Sequence, residues 1–237
     1  MTLLLISPKD VDEALVAIRG GADILDIKNP KEGSLGANFP WVIAEIRRAV
    51  PEGIPISAAI GDFPNLPGSA ALAAFGAVKA GANMVKIGLK GPRKAKSAAY
   101  LVEQVVKAVR GADESAKVVV CAYGDFKRAG TIKPILIPKI ASETGADVAM
   151  LDTAIKDGKP LTDFLQAEEL KNFIDKAHSF DIWAALAGSL GLKELRELKR
   201  LNPDVVGIRG AACEGGDRKK GRISEEHVRM LKKILEA

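Results

Sequence analysis

The chain has 237 residues, 47% of them apolar and 27% charged, with a net charge of +5; this is an ordinary globular composition, long enough for one large core. Aromatic residues at 5%, and a mild scattered excess of 35 basic over 30 acidic residues, argue against nucleic acid as a partner and suit a small anionic substrate better. Two cysteines (Cys121, Cys213) and two histidines (His178, His227) lack zinc-site spacing, and "MTLLLISPKD" is too short for a signal peptide with no membrane span after it, so a metal-free cytoplasmic protein with no membrane partner is expected.

In chain order, the apolar run Leu3–Ser7 precedes a helical pattern over 10–20. The turn "GGAD" (Gly20–Asp23) then leads into Ile24–Lys28, followed by a helix over 40–50. Ile56–Ile60 and a helix over 66–80 come next, and "AGAN" (Ala80–Asn83) opens Met84–Gly88 before a helix over 95–110. Lys117–Tyr123 and a helix over 134–145 precede "TGAD" (Thr144–Asp147) and the strand Val148–Asp152. A helix over 166–180, the run Ile182–Ala187, a helix over 192–201, "LNPD" (Leu201–Asp204), the run Val205–Ile208 and a helix over 224–236 complete the chain. Runs that are apolar almost throughout belong to a sheet covered on both faces, and strict alternation with helices makes it parallel. Glycine at the helix ends supplies the left-handed turn of an αβ loop. Eight strands, with no linker between them, predict a single α/β domain over residues 1–237, a (β/α)₈ barrel. A doubly wound open sheet is the alternative, but "SPKD" after the first strand is no glycine-rich nucleotide fingerprint.

In such a barrel, chemistry sits at the C-terminal strand ends and the loops that follow. Those positions hold Ser7, Lys28, Asp62, Lys86, Tyr123 with Asp125, Asp152, Gly188 with Ser189, and Arg209 with Gly210. Lys28 and Lys86 are expected to point to the barrel mouth, where two like charges depress each other's pKa and turn an amine into a nucleophile or base. Asp26 shares the strand face of Lys28, either as a buried ion-pair partner or as part of the chemistry. Asp152 is placed to orient a lysine or move protons, with Lys156 a further cation four residues on. A solvated terminus is the plainer account of one strand-end lysine; two, with aspartates at neighbouring ends, favour a site. "LAGSLG" and "VGIRGAAC" place glycines and an arginine in the loops after strands seven and eight, the usual phosphate cradle of this barrel, so Gly188, Ser189, Arg209 and Gly210 are expected to bind a phosphorylated substrate. The basic runs "GPRKAK" and "GDRKKGR" are taken as solvated faces.

The segments "SPKDVDEALVAIRGGADILDIKNPKEGSLGANFPWVI", "SAAIGD", "VKIGL", "DVAMLDTAIKDGK", "ALAGS" and "VGIRGAACEGGDR" together resemble the (5-formylfuran-3-yl)methyl phosphate synthase family over essentially the whole chain. The resemblance implies a (β/α)₈ barrel acting as a class I aldolase-like lyase in the biosynthesis of methanofuran-type carriers. Two molecules of glyceraldehyde 3-phosphate would become 4-(hydroxymethyl)-2-furancarboxaldehyde phosphate, with loss of phosphate and water. It further implies Lys28 as the Schiff-base lysine, Lys86 as proton acceptor and donor, Asp152 and Lys156 as helpers, and no cofactor. A homo-oligomer is expected, because barrels of this kind often associate. The rival readings are another lysine-dependent barrel enzyme and a non-catalytic phosphate- or nucleic-acid-binding barrel.

Overall fold

Eight parallel strands close on themselves in chain order in the computed structural model, which describes residues 2–237. They are β1 (Leu3–Ile6), β2 (Ile24–Ile27), β3 (Ile56–Phe63), β4 (Met84–Leu89), β5 (Lys117–Tyr123), β6 (Val148–Asp152), β7 (Trp183–Leu186) and β8 (Val205–Ile208). The ring is sealed by β1 against β8, with Leu5 opposite Gly207. Nine helices lie among the described residues: α1 (Val11–Arg19), α2 (Pro40–Ala49), α3 (Pro67–Lys79), α4 (Ala95–Ala112), α5 (Phe126–Ala129), α6 (Ile137–Thr144), α7 (Ala167–His178), α8 (Leu192–Lys199) and α9 (Glu225–Glu236). The expected (β/α)₈ architecture therefore holds, and the open sheet does not. None of these helices is long and apolar enough to cross a membrane.

Period-two alternation sorts the strand residues into two cores. Outward residues such as Leu4, Leu25, Val85 and Val120 pack against the helices, whereas Leu5, Ile24, Ala59, Met84, Val119, Cys121, Met150, Ala185 and Val205 fill the barrel interior. Both cores are mainly apolar, the interior one admitting Asp26, Ser57 and Lys86, which is why the strands read as nearly unbroken hydrophobic runs.

Two departures from the expected elements bear on the site. Strand β3 runs on to Phe63 through a register shift between Ala59 and Gly61. A bulge of this kind re-aims the following side chain, and it carries Asp62 over the mouth. Helix α5 and the 3₁₀ turns Leu161–Asp163, Gly210–Ala212 and Glu214–Gly216 are too short to show periodicity, and the first half-turn of the expected 134–145 helix is also 3₁₀ (Pro134–Leu136).

The loop between β2 and α2 does not hang free. Asn29 N donates to Gly36 O at 2.9 Å, and Leu35 is driven into the barrel interior. Ser34 donates through its hydroxyl to Thr153 O (2.8 Å) and through its N–H to Asp62 Oδ2 (2.9 Å). Tyr123 donates its phenol to the other Asp62 oxygen at 2.5 Å. The loop thus plugs the β3–β5 side of the mouth and leaves the β6–β8 side open. Gly88 makes this closure feasible, since a Cβ there would lie 2.2 Å from Tyr123 Oη and 2.9 Å from Leu35. Gly88→Ala is expected to cost about 1–3 kcal/mol by overpacking, read as a lower midpoint in chemical denaturation.

Candidate active site

A cavity of about 500 Å³ occupies the open half of the mouth, within the range of small-ligand pockets. Its floor and walls carry Lys28, Asp152, Lys156, Gly188, Ser189, Arg209, Gly210 and Arg218. The expected site residues from β2, β6, β7 and β8 therefore meet in one place. Lys86 does not line this cavity.

Lys28 follows the last residue of β2 and is 7% exposed. Its pKa is lowered to about 8, first by burial; Asp26 and Asp152 oppose the shift, and Lys86 and Lys156 add to it. The lysine–lysine repulsion expected from the sequence is present, but loss of hydration is the larger cause.

Lys86 lies one layer deeper, a correction to the expectation that both lysines face the mouth. It sits opposite Ala59 and Val119, three residues before the end of β4, and is 0% exposed. Its Nζ is 2.6 Å from Asp26 Oδ2. Asp26, also 0% exposed, accepts from Ser7 Oγ at 3.2 Å and stands 3.8 Å from Lys28 Nζ. One carboxylate oxygen is thus shared by the mouth lysine and the interior lysine, while Asp26 Oδ1 has no hydrogen-bond partner among the described residues.

Asp152 ends β6 and is paired with Lys156, whose ammonium also donates to Thr153 Oγ1 at 3.1 Å. Burial alone would raise the Asp152 pKa, but Lys156 and Lys28 outweigh it and hold the carboxyl below its ordinary value. It is therefore ionised beside Lys28 near neutral pH.

At the phosphate cradle the structure divides the expected residues by role. Gly188 (φ +114°) and Ser189 (φ +51°) form a left-handed pair, and a Cβ on Gly188 would sit 3.1 Å from Thr153 N. The N–H groups of Gly188, Ser189, Leu190, Gly210 and Ala211 donate to no backbone acceptor outside their own helix or strand among the described residues, and all five residues line the cavity, so this stretch of backbone has donors available for an anion. Arg209 is different. Its guanidinium turns to Glu13 (2.8 Å) and Ser7 O (2.5 Å), and its Nε donates to Arg218 O (2.7 Å). Glu13, on α1, is itself buried. Most of the Arg209 donors are engaged inside the protein, which leaves little of the guanidinium for the phosphate it was expected to bind; through Ser7 the pair positions the hydroxyl that supports Asp26.

Asp125 is buried and accepts the N–H groups of Ala154 (2.7 Å) and Ile155 (3.0 Å), fixing the loop after β6. Lys127 lies over the Phe126 ring, away from the mouth cavity. Cys213 is buried, and burial pushes its thiol pKa up. His178 is exposed and meets Asp204 at 2.8 Å. Among the described residues no group of three or more His, Cys, Asp or Glu is arranged to hold a metal ion. Arg218 and Glu13 were not anticipated, and the loop over 31–38, expected with Lys156 as a candidate for holding a second phosphate, instead packs Ser34 and Leu35 inward. Only Arg218 left a trace in the sequence, as one member of the "GDRKKGR" run.

The family model described as 4-HFC-P synthase matches residues 4–232. A protein of Methanococcus maripaludis (strain C6) named (5-formylfuran-3-yl)methyl phosphate synthase is 52% identical over 232 residues, covering 98% of this chain and 98% of its own. A protein of the same name from Methanocaldococcus jannaschii is 52% identical, covering 98% and 99%. Among solved structures, 3-hexulose-6-phosphate synthase from Salmonella typhimurium superposes with a TM-score of 0.69 over 99% of this chain and 98% of its own, at 16% identity, a likeness of fold.

Proposed function

The chain belongs to the 4-HFC-P synthase family, and we propose that it condenses two molecules of glyceraldehyde 3-phosphate into 4-(hydroxymethyl)-2-furancarboxaldehyde phosphate through a Schiff base on Lys28. The observation that carries this is Lys28 itself: a buried amine with a pKa of about 8 on the floor of an open cavity. At pH 7 about one molecule in ten then holds it neutral, against about three in ten thousand at an ordinary lysine pKa.

The neutral amine attacks the aldehyde carbon, and loss of water from the carbinolamine leaves an iminium. That cation draws electrons from the adjacent C–H bond; its proton leaves to a base and the resulting enamine forms the C–C bond to a second aldehyde. Across the whole reaction one phosphate and two waters depart, so the same groups must take and return protons more than once. Asp152, ionised beside Lys28 and bonded to Lys156, is the base on the cavity side. Asp26, whose Oδ2 lies within ion-pair distance of both amines, links Lys86 to the mouth and is the group through which it would exchange protons with Lys28. The nest of N–H groups at Gly188, Ser189 and Gly210 receives a phosphoryl group, with the dianion facing aligned dipoles rather than water.

Below the lowered pKa of Lys28, each pH unit removes about tenfold of the neutral amine. The rate constant kcat/KM is therefore expected to climb with pH and level off near pH 8, in a pH–rate profile at low substrate. The product itself is the test of the proposal: glyceraldehyde 3-phosphate incubated with the protein is expected to yield a near-ultraviolet absorbance from the furan and one equivalent of inorganic phosphate per furan. Aldol product without absorbance would instead indicate a plain aldolase.

A further inference from the structure

Among the cations on the mouth cavity besides Lys28, Lys156 is neutralised by Asp152 and Arg209 by Glu13, while Lys219 is exposed to solvent. Arg218 is neither. Among the described residues no carboxylate lies within ion-pair distance of it; its guanidinium reaches only Gly33 O at 3.4 Å and Ser34 O at 3.5 Å, the outer limit of hydrogen bonding. A guanidinium has five N–H donors in a planar fork, so most of these are unspent. The side chain is half-buried, and burial lowers its pKa.

The backbone that presents Arg218 is built rather than loose. Asp217 Oδ1 accepts the N–H groups of Lys219 (2.8 Å) and Lys220 (3.0 Å), and the buried Arg209 donates to the Arg218 carbonyl at 2.7 Å. The fork is thereby held against the β2–α2 loop, on the same cavity as the Gly188–Ser189 turn but on different backbone. One nest cannot hold two phosphoryl dianions, and their mutual repulsion requires separated anchors.

We propose that Arg218 is the anchor for the phosphoryl group of one of the two triose phosphates, exchanging its long contacts to Gly33 and Ser34 for bidentate bonds to phosphate oxygens. This rests on the phosphorylated-aldehyde substrate proposed above, and adds a specificity-determining residue to it. The chemistry fits, since a planar fork matches a phosphate edge in a way an ammonium does not.

The test uses Arg218→Met and Arg218→Lys beside the unaltered protein. For glyceraldehyde 3-phosphate, Arg218→Met is expected to raise KM about 10- to 100-fold, with Arg218→Lys intermediate and kcat changed less than KM. Borohydride trapping of unphosphorylated glyceraldehyde on Lys28 is expected to proceed at an unchanged rate in both variants. An unchanged KM would overturn the proposal, as would an equal loss of trapping with the unphosphorylated aldehyde, which would mark a structural role. Calorimetric titration with inorganic phosphate separates the sources: weaker phosphate binding with an unchanged KM would assign Arg218 to the released phosphate and not to substrate. Should the unaltered protein neither turn over nor trap the triose phosphate, the substrate proposal fails by itself. The phosphate titration then decides for or against Arg218, on a tenfold weakening or none.

Discussion

Lys28→Met is expected to lower kcat by about 10⁴-fold or more, the scale on which removing a covalent nucleophile acts, while leaving the protein no less stable. The two halves have one cause. Holding Lys28 near pKa 8 instead of 10.5 means that its charged form is disfavoured in the folded state by about 3 kcal/mol. Because the folded pKa is lowered, the unfolded chain binds more protons between pH 8 and 10.5, so the contribution of Lys28 to stability rises with pH across that window and is fully unfavourable below it. A methionine fills a similar volume without charge. Denaturation midpoints at pH 7 that are equal or higher in Lys28→Met, combined with lost turnover, are the expected pair. A variant that is both inactive and several kcal/mol less stable would show Lys28 to be a structural ion-pair partner.

Asp26→Ala is expected to be the most destabilising change in the mouth. It strips from the interior Lys86 the only carboxylate paired with it among the described residues, and an uncompensated buried charge costs about 3–5 kcal/mol. Turnover is expected to fall with it, since the oxygen that links the two amines is lost. The double replacement Asp26→Leu with Lys86→Met removes both charges and is expected to recover most of the stability without recovering activity. Additive losses in the double-mutant cycle would contradict a direct coupling of the pair.

The barrel was legible because its strands are buried on both faces: β5, β6 and β8 match the expected runs residue for residue. Strand β3 was cut short, because Gly61 and Asp62 look like a strand breaker when they are in fact a bulge that keeps the pairing with β4. Lys28, Asp26 and Asp152 were legible from strand ends and alternation alone. The depth of Lys86 was not, because depth depends on stagger between neighbouring strands, which one strand does not carry. Arg209 could not be separated from the phosphate cradle without Glu13, 196 residues away in sequence. Arg218 sits in a basic run whose other cations, Lys219, Lys220 and Arg222, are exposed, and only the fold distinguishes the one that is half-buried. The plug formed by Leu35 was hidden for the same reason, inside a loop rich in glycine, proline and asparagine.

The central claim, that Lys28 forms the covalent bond, is tested most directly by borohydride reduction of the protein with glyceraldehyde 3-phosphate, followed by peptide mass mapping. The expected result is a substrate-dependent adduct on the peptide containing Lys28, absent from Lys28→Ala and retained in Lys86→Ala. An adduct on Lys86 instead, or none on either lysine under conditions that trap a known lysine aldolase, would contradict it.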